Sequence, residues 1–304
     1  MENSNAVIIT VRTNFKYRVR RSFQRIAYKV LGPVIMAKVY YRLVMKKRLD
    51  LKSPTTFTEK INWYKLFYCP KNDLIVKCAD KFEVRSFLTR LGLDRYLCEL
   101  INVWDDPDSI DWSTLPETFV LKNSNGCGYN IICKDKSQLD ERKTKNILKK
   151  WLKEQFGCYN AEPHYNLGKK RIICEKYLSS KTDLPLDYKI HCMNGVPKVV
   201  QLCMDRTNKT TEYFYYDIEG KSLNFGRSQS SAMLDMPKNV LSEILEVCEK
   251  IAVFFPYVRI DFFVDGEKPQ ITELTFTPSA GLKPDISGDR GDIEMGKMLD
   301  IKEI

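Results

Sequence analysis

The stretch "VRIDFFVDGEKPQITELTF", residues 258–276, decides the fold because it predicts a β-hairpin with two carboxylates on facing strands. The dipeptide Asp-Gly at 265–266 is a turn signal, and alternating apolar residues flank it. A turn centred near Glu267 would pair Asp261 with Glu273, with their Cβ atoms about 5 Å apart. Like charges at this distance repel each other. The pair therefore requires a wet edge, a shared proton or a bound cation.

Alternation along both strands separates a polar face from an apolar face. By the period of two, Arg259 shares a face with Asp261. Thr275 shares the corresponding face with Glu273. The positions between them are apolar: Ile260, Phe262, Leu274 and Phe276. This split favours a polar site built into the fold over an exposed edge.

The composition allows a large core and argues against several kinds of site. The 304 residues are 43% hydrophobic, which suggests one large domain or two closely joined ones. The ten cysteines include no CxxC pair, and no signal peptide precedes them, so a reducing cytoplasm fits best. Two histidines, His164 and His191, are too few for a histidine-rich zinc site, and we expect both to be structural or surface residues. Apolar runs of about eight residues are far shorter than the roughly 20 that span a bilayer.

The excess positive charge lies at one end of the chain. Residues 1–50 hold twelve of the 49 Lys and Arg but only two of the 39 Asp and Glu, so the remaining residues are balanced at 37 of each. Aromatic and aliphatic residues alternate with the basic ones, as in helices that lie on an anionic membrane surface. Two alternatives stay open: nucleic-acid binding, and a solvated basic helix packed on the domain. Of the three interpretations of this segment, nucleic-acid binding is the least favoured.

The periodicity divides the remaining residues into a helical region and a mixed region. The pattern of residues 51–116 predicts mostly helix, including the stretches "FTEKINWYKLFY" and "ADKFEVRSFLTRLG". From residue 117, strands and hairpins alternate with helices, including a hairpin around Asn194-Gly195 and an amphipathic helix in "KTKNILKKWLKEQF". This pattern predicts an α+β fold rather than a parallel doubly wound sheet. We place the boundaries at 1–50, 51–116, 117–182 and 183–304.

A glycine-bearing loop follows a lysine at a strand end. In "FVLKNSNGCGYN", Lys122 ends a strand, and Gly126 and Gly128 lie in the loop before the next strand. The stretch lacks GxxxxGK[ST], and a strand rather than a helix follows it, which excludes a Walker A loop and a Rossmann turn. The loop is either a hairpin turn or a flap whose backbone N–H groups bind phosphate oxygens.

A second strand end, "ICEKYL", has the residue types of an adenine pocket. Glu175, Lys176 and Tyr177 lie where the strand leaves its sheet, and Leu178 could pack on a base. Asp183 could accept the ribose hydroxyls. The alternative is an ordinary amphipathic strand end.

The order of these motifs resembles an ATP-grasp enzyme. Lys122 with its glycine loop precedes "EKYL", a hairpin strand with Lys189, and then Asp261 followed by Glu273. The stretches "SPTTFTEKINWYKL", "ADKFEVRSFL" and "ELTFTPSAG" are similar to the TupA-like ATP-grasp family of bacterial surface-polysaccharide and teichuronopeptide biosynthesis. The resemblance covers roughly residues 50–290.

The resemblance implies two α+β subdomains, 117–182 and 183–304, that grip ATP between them. Lys122 and Lys189 would contact phosphates, and the Gly126–Gly128 loop would cover them. Residues Glu175 to Leu178, with Asp183, would line the adenosine pocket.

The same resemblance implies a magnesium site on the opening hairpin. Asp261 and Glu273 would hold Mg²⁺, with Arg259 adding charge that screens the reacting anions. The usual family motif is Glu-x-Asn, but Thr275 stands at the third position, and threonine is a poorer oxygen ligand than asparagine.

The resemblance also implies a reaction and its partners. ATP would activate a carboxylate as an acyl phosphate, and an amine would attack it, so the implied enzyme is a carbon–nitrogen ligase. The expected substrates are a carboxylate-bearing saccharide, such as a uronic acid, and an amino acid or amino sugar. The expected location is cytoplasmic, on the inner face of the membrane. The alternatives are an ATP-dependent sugar kinase and a non-catalytic adaptor of the same fold.

Overall fold

A computed structural model describes residues 6–11, 15–178, 186–204, 212–226, 228–283, 286 and 290–302. Its helices are α1 (Phe15–Met45), α2 (Phe57–Trp63), α3 (Asp73–Cys78), α4 (Glu83–Arg90), α5 (Glu141–Leu152), α6 (Lys238–Ala252) and α7 (Arg290–Met298). Its strands are β1 (Val7–Ile9), β2 (Leu100–Trp104), β3 (Phe119–Asn123), β4 (Asn130–Cys133), β5 (Ile172–Lys176), β6 (Leu186–Met193), β7 (Val196–Met204), β8 (Glu212–Tyr216), β9 (Tyr257–Asp265) and β10 (Lys268–Thr275).

The strands form two antiparallel sheets. The first has the order β1-β4-β3-β5-β2, and the second has the order β10-β9-β6-β7-β8. The α+β class predicted from the sequence is confirmed. The first sheet takes β1 and β2 from residues before 117, where the sequence predicted an arm and a helical region.

Local sequence explains where the helices begin and end. α2 begins with a capping box, in which the Thr56 side chain accepts from the Glu59 N–H and the Glu59 carboxylate accepts from the Thr56 N–H. The Asp140 side chain caps α5 by accepting from the Lys143 N–H at 2.8 Å. α5 ends at Leu152, so Phe156, the last residue of the stretch predicted as this amphipathic helix, lies in a separate 3₁₀ turn.

Each sheet has its own hydrophobic core. Leu148 and Trp151 of α5 pack with Phe119 and Leu121 of β3 in the core of the first sheet. α6 contributes Ile244, Val247 and Ile251 to the core of the second sheet, where they pack with Ile190 and Ile260. The polar faces of the two sheets, opposite these cores, line the cavity that is described in the next subsection.

The basic N-terminal segment is a long kinked helix. Gly32, with φ 74° and ψ 169°, and Pro33 interrupt α1. Beyond the kink, Met36, Ala37 and Tyr41 are buried against the rest of the chain. Among the described residues, none of the helices combines the length and apolar character needed to cross a bilayer.

Both histidines are buried. His191 bonds Tyr257 Oη and Gln201 Oε1, each at 2.9 Å. His164 is 1% exposed, and neither ring nitrogen has a hydrogen-bond partner among the described residues. Burial lowers the pKa of His164 from 6.5 to about 3 and the pKa of His191 well below 6.5.

The depressed pKa of His164 predicts an acid-sensitive fold. Between its folded-state pKa of about 3 and the ordinary 6.5, only the unfolded chain binds the proton, so stability falls as the pH falls through this window. His164→Phe should reduce the stability lost between pH 7 and pH 5 by about 2 kcal/mol. Urea unfolding at both pH values measures this. Parallel pH dependence in the variant and the wild type would contradict it.

Candidate active site

A cavity of about 700 Å³ is lined by residues from both sheets. Most of the site residues predicted from the sequence line it: Lys122, Gly128, Glu175, Lys176, Tyr177, Leu178, Lys189, Arg259, Asp261, Glu273 and Thr275. Gly126 lies next to it in the glycine loop, and Asp183 lies outside the described residues. The fold therefore brings together residues that are up to about 150 positions apart in the chain.

The predicted pairing of Asp261 with Glu273 is confirmed, but by a different register. Asp265 pairs with Lys268 across a two-residue turn, which is shorter than the turn centred near Glu267 that the sequence suggested. This register alone would place residue 272 opposite Asp261. A bulge between Ile271 and Glu273 inserts one residue and restores the pairing.

The Asp261 carboxylate is buried and fully ion-paired. Arg259 donates from Nε to Oδ1 at 2.6 Å and from Nη2 to Oδ2 at 2.7 Å. Lys189 Nζ donates to Oδ2 at 2.5 Å. Burial by itself would raise the pKa of Asp261, but Arg259 and Lys189 outweigh it and lower the pKa to about 2. Asp261 is therefore ionised at neutral pH.

These contacts change the interpretation of the carboxylate pair. The sequence suggested two opposed charges that need a wet edge, a shared proton or a bound cation, and the family resemblance implied Mg²⁺ as that cation. Arg259 and Lys189 already neutralise Asp261, and Glu273 lies 3.5 Å from Arg259 Nη2 and 3.8 Å from Lys81 Nζ. The chain itself therefore supplies cations to the pair. Lys81 precedes α4, and no local sequence pattern predicts its contact with Glu273.

A third carboxylate lies on the same face of the second sheet. Asp187 is 1% exposed, and its Oδ2 lies 2.8 Å from Lys189 Nζ, so this lysine bridges Asp187 and Asp261. The sequence analysis did not include Asp187 among the site residues. The period of two along "DYK" was the available signal, because it places Asp187 and Lys189 on one face.

The carboxylates of the hairpin fit a magnesium site of a simple kind. Mg²⁺ binds hard oxygen ligands, usually one or two carboxylates together with substrate phosphates and water. Asp261 and Glu273 meet that description, and the Glu273 side chain, 29% exposed, faces the cavity. Among residues that the structure describes, no group of three or more His, Cys, Asp or Glu side chains is arranged around a metal position.

Thr275 is less suited to be a ligand. Its hydroxyl donates to Glu273 Oε1 at 3.1 Å and accepts from Arg259 Nη2 at 3.1 Å. Through these two bonds, Thr275 orients the side chains of Glu273 and Arg259.

Lys122 of the first sheet is held by a buried carboxylate. Its Nζ lies 2.6 Å from Glu175 Oε2, and Arg85 Nη1 lies 3.6 Å from Glu175 Oε1. Burial alone would lower the pKa of Lys122, but Glu175 outweighs this and raises it, so Lys122 is a fixed positive charge at the cavity wall. Glu175 lines the cavity, as the adenine-pocket hypothesis requires, and it also orients the lysine.

The glycine loop between β3 and β4 is tied to both sheets. Gly126 and Gly128 have φ values of +85° and +82°, which glycine adopts without steric cost. Lys81 Nζ donates to the Gly126 carbonyl at 2.5 Å and lies 3.8 Å from Glu273 Oε2. Lys81 thus links the loop to the hairpin of the second sheet.

The two loop glycines should tolerate alanine differently. A Cβ on Gly126 would lie 2.8 Å from Phe156 Cγ, whereas a Cβ on Gly128 would only reach Val11 Cγ2 at 3.6 Å. Both substitutions carry the cost of a positive φ, about 1 kcal/mol. Gly126→Ala should therefore cost about 2 kcal/mol or more, and Gly128→Ala about half of that. Urea unfolding compares them. Equal costs would contradict the crowding by Phe156.

The wall beyond the hairpin contains polar residues that the sequence analysis missed. Glu162 Oε1 accepts from Thr277 Oγ1 at 2.6 Å, and burial raises the pKa of Glu162 to about 7. Lys283 Nζ donates to Gln201 Oε1 at 2.8 Å. Long-range contacts create these pairs, and no short motif marks them.

Comparison with known proteins identifies the family. The model of TupA-like ATP-grasp proteins matches residues 59–300. The chain belongs to the TupA-like ATP-grasp family. The family predicted from the sequence motifs is therefore confirmed.

Several solved ligases match the chain at low identity. D-alanine--D-alanine ligase from Bacillus anthracis, complexed with ATP, matches with a TM-score of 0.42 and 13% identity over 66% of this chain and 55% of that chain. The Helicobacter pylori D-alanine–D-alanine ligase matches with a TM-score of 0.45 and 13% identity over 80% and 69%. L-amino acid ligase from Bacillus licheniformis matches with a TM-score of 0.43 and 13% identity over 74% and 48%. The chain spans about half the length of the first of these, and no curated protein matches it significantly.

Proposed function

We propose that this chain is an ATP- and Mg²⁺-dependent carboxylate–amine ligase that acts through an acyl phosphate. One observation supports it most: four cationic side chains, Lys81, Lys122, Lys189 and Arg259, line the cavity between the sheets. Lys81, Lys189 and Arg259 lie around Asp261 and Glu273, and Lys122 pairs with Glu175 on the facing wall. A reaction that brings the anionic phosphates of ATP against a substrate carboxylate needs such a charge arrangement.

The reaction transfers one phosphoryl group and then releases it. A substrate carboxylate oxygen attacks the γ-phosphorus of ATP, the bond to ADP breaks, and an acyl phosphate forms. The amine nitrogen then forms a bond to the acyl carbon while inorganic phosphate leaves with the former carboxylate oxygen, and the amine loses a proton to solvent. The products are an amide, ADP and phosphate, and no protein nucleophile is needed.

The residues of the cavity have separate roles in this proposal. Bound Mg²⁺ supplies positive charge to the phosphates, and Asp261 and Glu273 are the residues that would hold it. Lys122 and Lys189 would attract the phosphates, and Arg259 would screen the charge on the substrate carboxylate. The Gly126–Gly128 loop would cover the phosphates and exclude water, which hydrolyses acyl phosphates.

The proposed substrates are a carboxylate-bearing saccharide, such as a uronic acid of a surface polysaccharide, and an amine donor that is an amino acid or amino sugar. Lys283 lines the cavity beyond the hairpin and is suited to attract an anionic sugar. Glu162 lies on the same wall, and its raised pKa of about 7 suits it to exchange a proton with the amine donor. The proposed adenosine pocket is the strand end at Glu175–Leu178, with Asp183 as the proposed partner of the ribose hydroxyls. In this proposal the chain works at the inner face of the cytoplasmic membrane.

A product screen tests the reaction class. Uronic acids paired with amino acids or amino sugars are incubated with the protein, Mg²⁺ and ATP, and products are read by mass spectrometry. We expect ADP together with an amide for at least one pair, and neither product without Mg²⁺. ADP with a stable phosphate ester would instead show a sugar kinase. No ADP with any acceptor would favour a non-catalytic adaptor.

A further inference from the structure

The N-terminal half of α1 exposes an apolar stripe. Large apolar side chains recur there at intervals of three or four residues and are 52% to 78% exposed: Phe15, Val19, Phe23, Ile26 and Val30. At 100° per residue they fall within about 80° of the helix circumference, so they form one continuous strip. Beyond the kink, Ile35, Val39 and Leu43 repeat the pattern at intervals of four, with 45% to 60% exposure.

The stripe lies on the side of the helix that faces away from the rest of the chain. Arg21 stacks its guanidinium 3.8 Å from the centre of the Tyr159 ring, and Gln24 Nε2 donates to the Tyr159 carbonyl at 3.0 Å. On the helical wheel, Arg21 and Gln24 are about 160° and 140° from the centre of the stripe. The contacts with Tyr159 therefore hold the helix with its apolar strip directed outward.

Basic residues flank the stripe on both sides. Lys16 and Arg20 lie along one border, and Arg18, Arg25 and Lys29 lie along the other. α1 contains eight Lys and Arg residues and no Asp or Glu. An apolar strip between two basic borders matches the layers of an anionic membrane, in which acyl chains lie below phosphate groups.

We infer that this outward face of α1, residues 15–31, is a docking surface for an anionic lipid bilayer, with the apolar stripe inserted and the basic borders on the headgroups. The charge disfavours a second copy of the chain as the occupant, because two such faces would oppose like charges without any acidic partner. It also disfavours nucleic acid, because the centre of the face is aliphatic and aromatic rather than basic. This inference is independent of the ligase reaction.

Vesicle co-sedimentation of the full chain tests the inference without any substrate. Vesicles of phosphatidylcholine with phosphatidylglycerol are compared with vesicles of phosphatidylcholine alone. Phe23→Glu, at a side chain 71% exposed, should weaken binding to the anionic vesicles at least about tenfold, because it removes an inserted ring and adds a negative charge. Val253→Glu, at a side chain 67% exposed after α6, is the matched control and should bind like the wild type. Both variants should melt like the wild type.

Three outcomes would overturn the inference. Unchanged binding in Phe23→Glu would mean that surface charge alone attracts the chain. Equal binding to both kinds of vesicle would mean that the basic borders have no role. Self-association in sedimentation velocity, or retention on an oligonucleotide, that is lost in Phe23→Glu while vesicles do not bind, would assign the face to a second copy or to nucleic acid.

Discussion

Asp261→Asn is expected to destabilise the protein by about 3 kcal/mol and to abolish ATP-dependent turnover. The substitution removes the negative charge that pairs with two neighbouring cations, Arg259 and Lys189, in a largely buried setting. Removing one partner of a buried ion pair leaves the other charge without compensation, which costs more than the pair itself contributes. A simple repulsion between Asp261 and Glu273 would predict the opposite sign, namely an equally or more stable variant.

Glu273→Gln is the matched control for that experiment. Its side chain is 29% exposed, and its nearest cations lie at 3.5 Å and 3.8 Å, so the loss of stability should be below about 1 kcal/mol. Turnover should still be lost if Glu273 holds Mg²⁺. Urea unfolding measures the stabilities, and thermal melts with and without Mg²⁺-ATP measure the ligand response. An Asp261→Asn variant that is as stable as the wild type would contradict the ion-pair account. A full Mg²⁺-ATP shift in both variants would contradict the metal site.

Lys122→Met should weaken nucleotide binding by about 30- to 150-fold, since a hydrogen bond to a charged group contributes about 2 to 3 kcal/mol. It should also destabilise the fold, because Glu175, 6% exposed, would keep only Arg85, at 3.6 Å, as a cationic partner among the described residues. The loss of folding stability comes from breaking the buried Lys122–Glu175 pair, and it adds to the loss of the phosphate contact.

A double variant separates the two effects of Lys122. Lys122→Met with Glu175→Gln removes the unpaired carboxylate and should recover most of the stability, while nucleotide affinity stays low. Calorimetric titration with a non-hydrolysable ATP analogue and Mg²⁺ measures the affinity. Wild-type affinity in the double variant would show that Lys122 serves only to neutralise Glu175.

The parts of the site that could be predicted from the sequence follow from short-range rules. Alternation placed Arg259 and Asp261 on one face of β9, and the Asp-Gly turn placed Glu273 on the facing strand. The turn was shorter than expected, and only the bulge before Glu273 preserved the pairing. The position of a bulge depends on how the sheet packs, and no local sequence pattern predicts that packing.

The partners of these residues could not be predicted, because they come from distant segments. Lys81 belongs to a stretch that reads as helix, yet it links the glycine loop to Glu273. β1 and β2 join the first sheet from segments with few strand signals around them. Composition likewise located the basic segment, but only the contacts of Arg21 and Gln24 with Tyr159 show which face of α1 is directed outward.

The transfer of an oxygen atom tests the central claim most directly. A carboxylate substrate found in the product screen is labelled with ¹⁸O in its carboxyl group and incubated with the protein, Mg²⁺, ATP and the amine. If an acyl phosphate forms, the inorganic phosphate released carries a labelled oxygen from the carboxylate, in amounts equal to the amide. Unlabelled phosphate, or label retained entirely in the saccharide, would contradict the acyl-phosphate ligase.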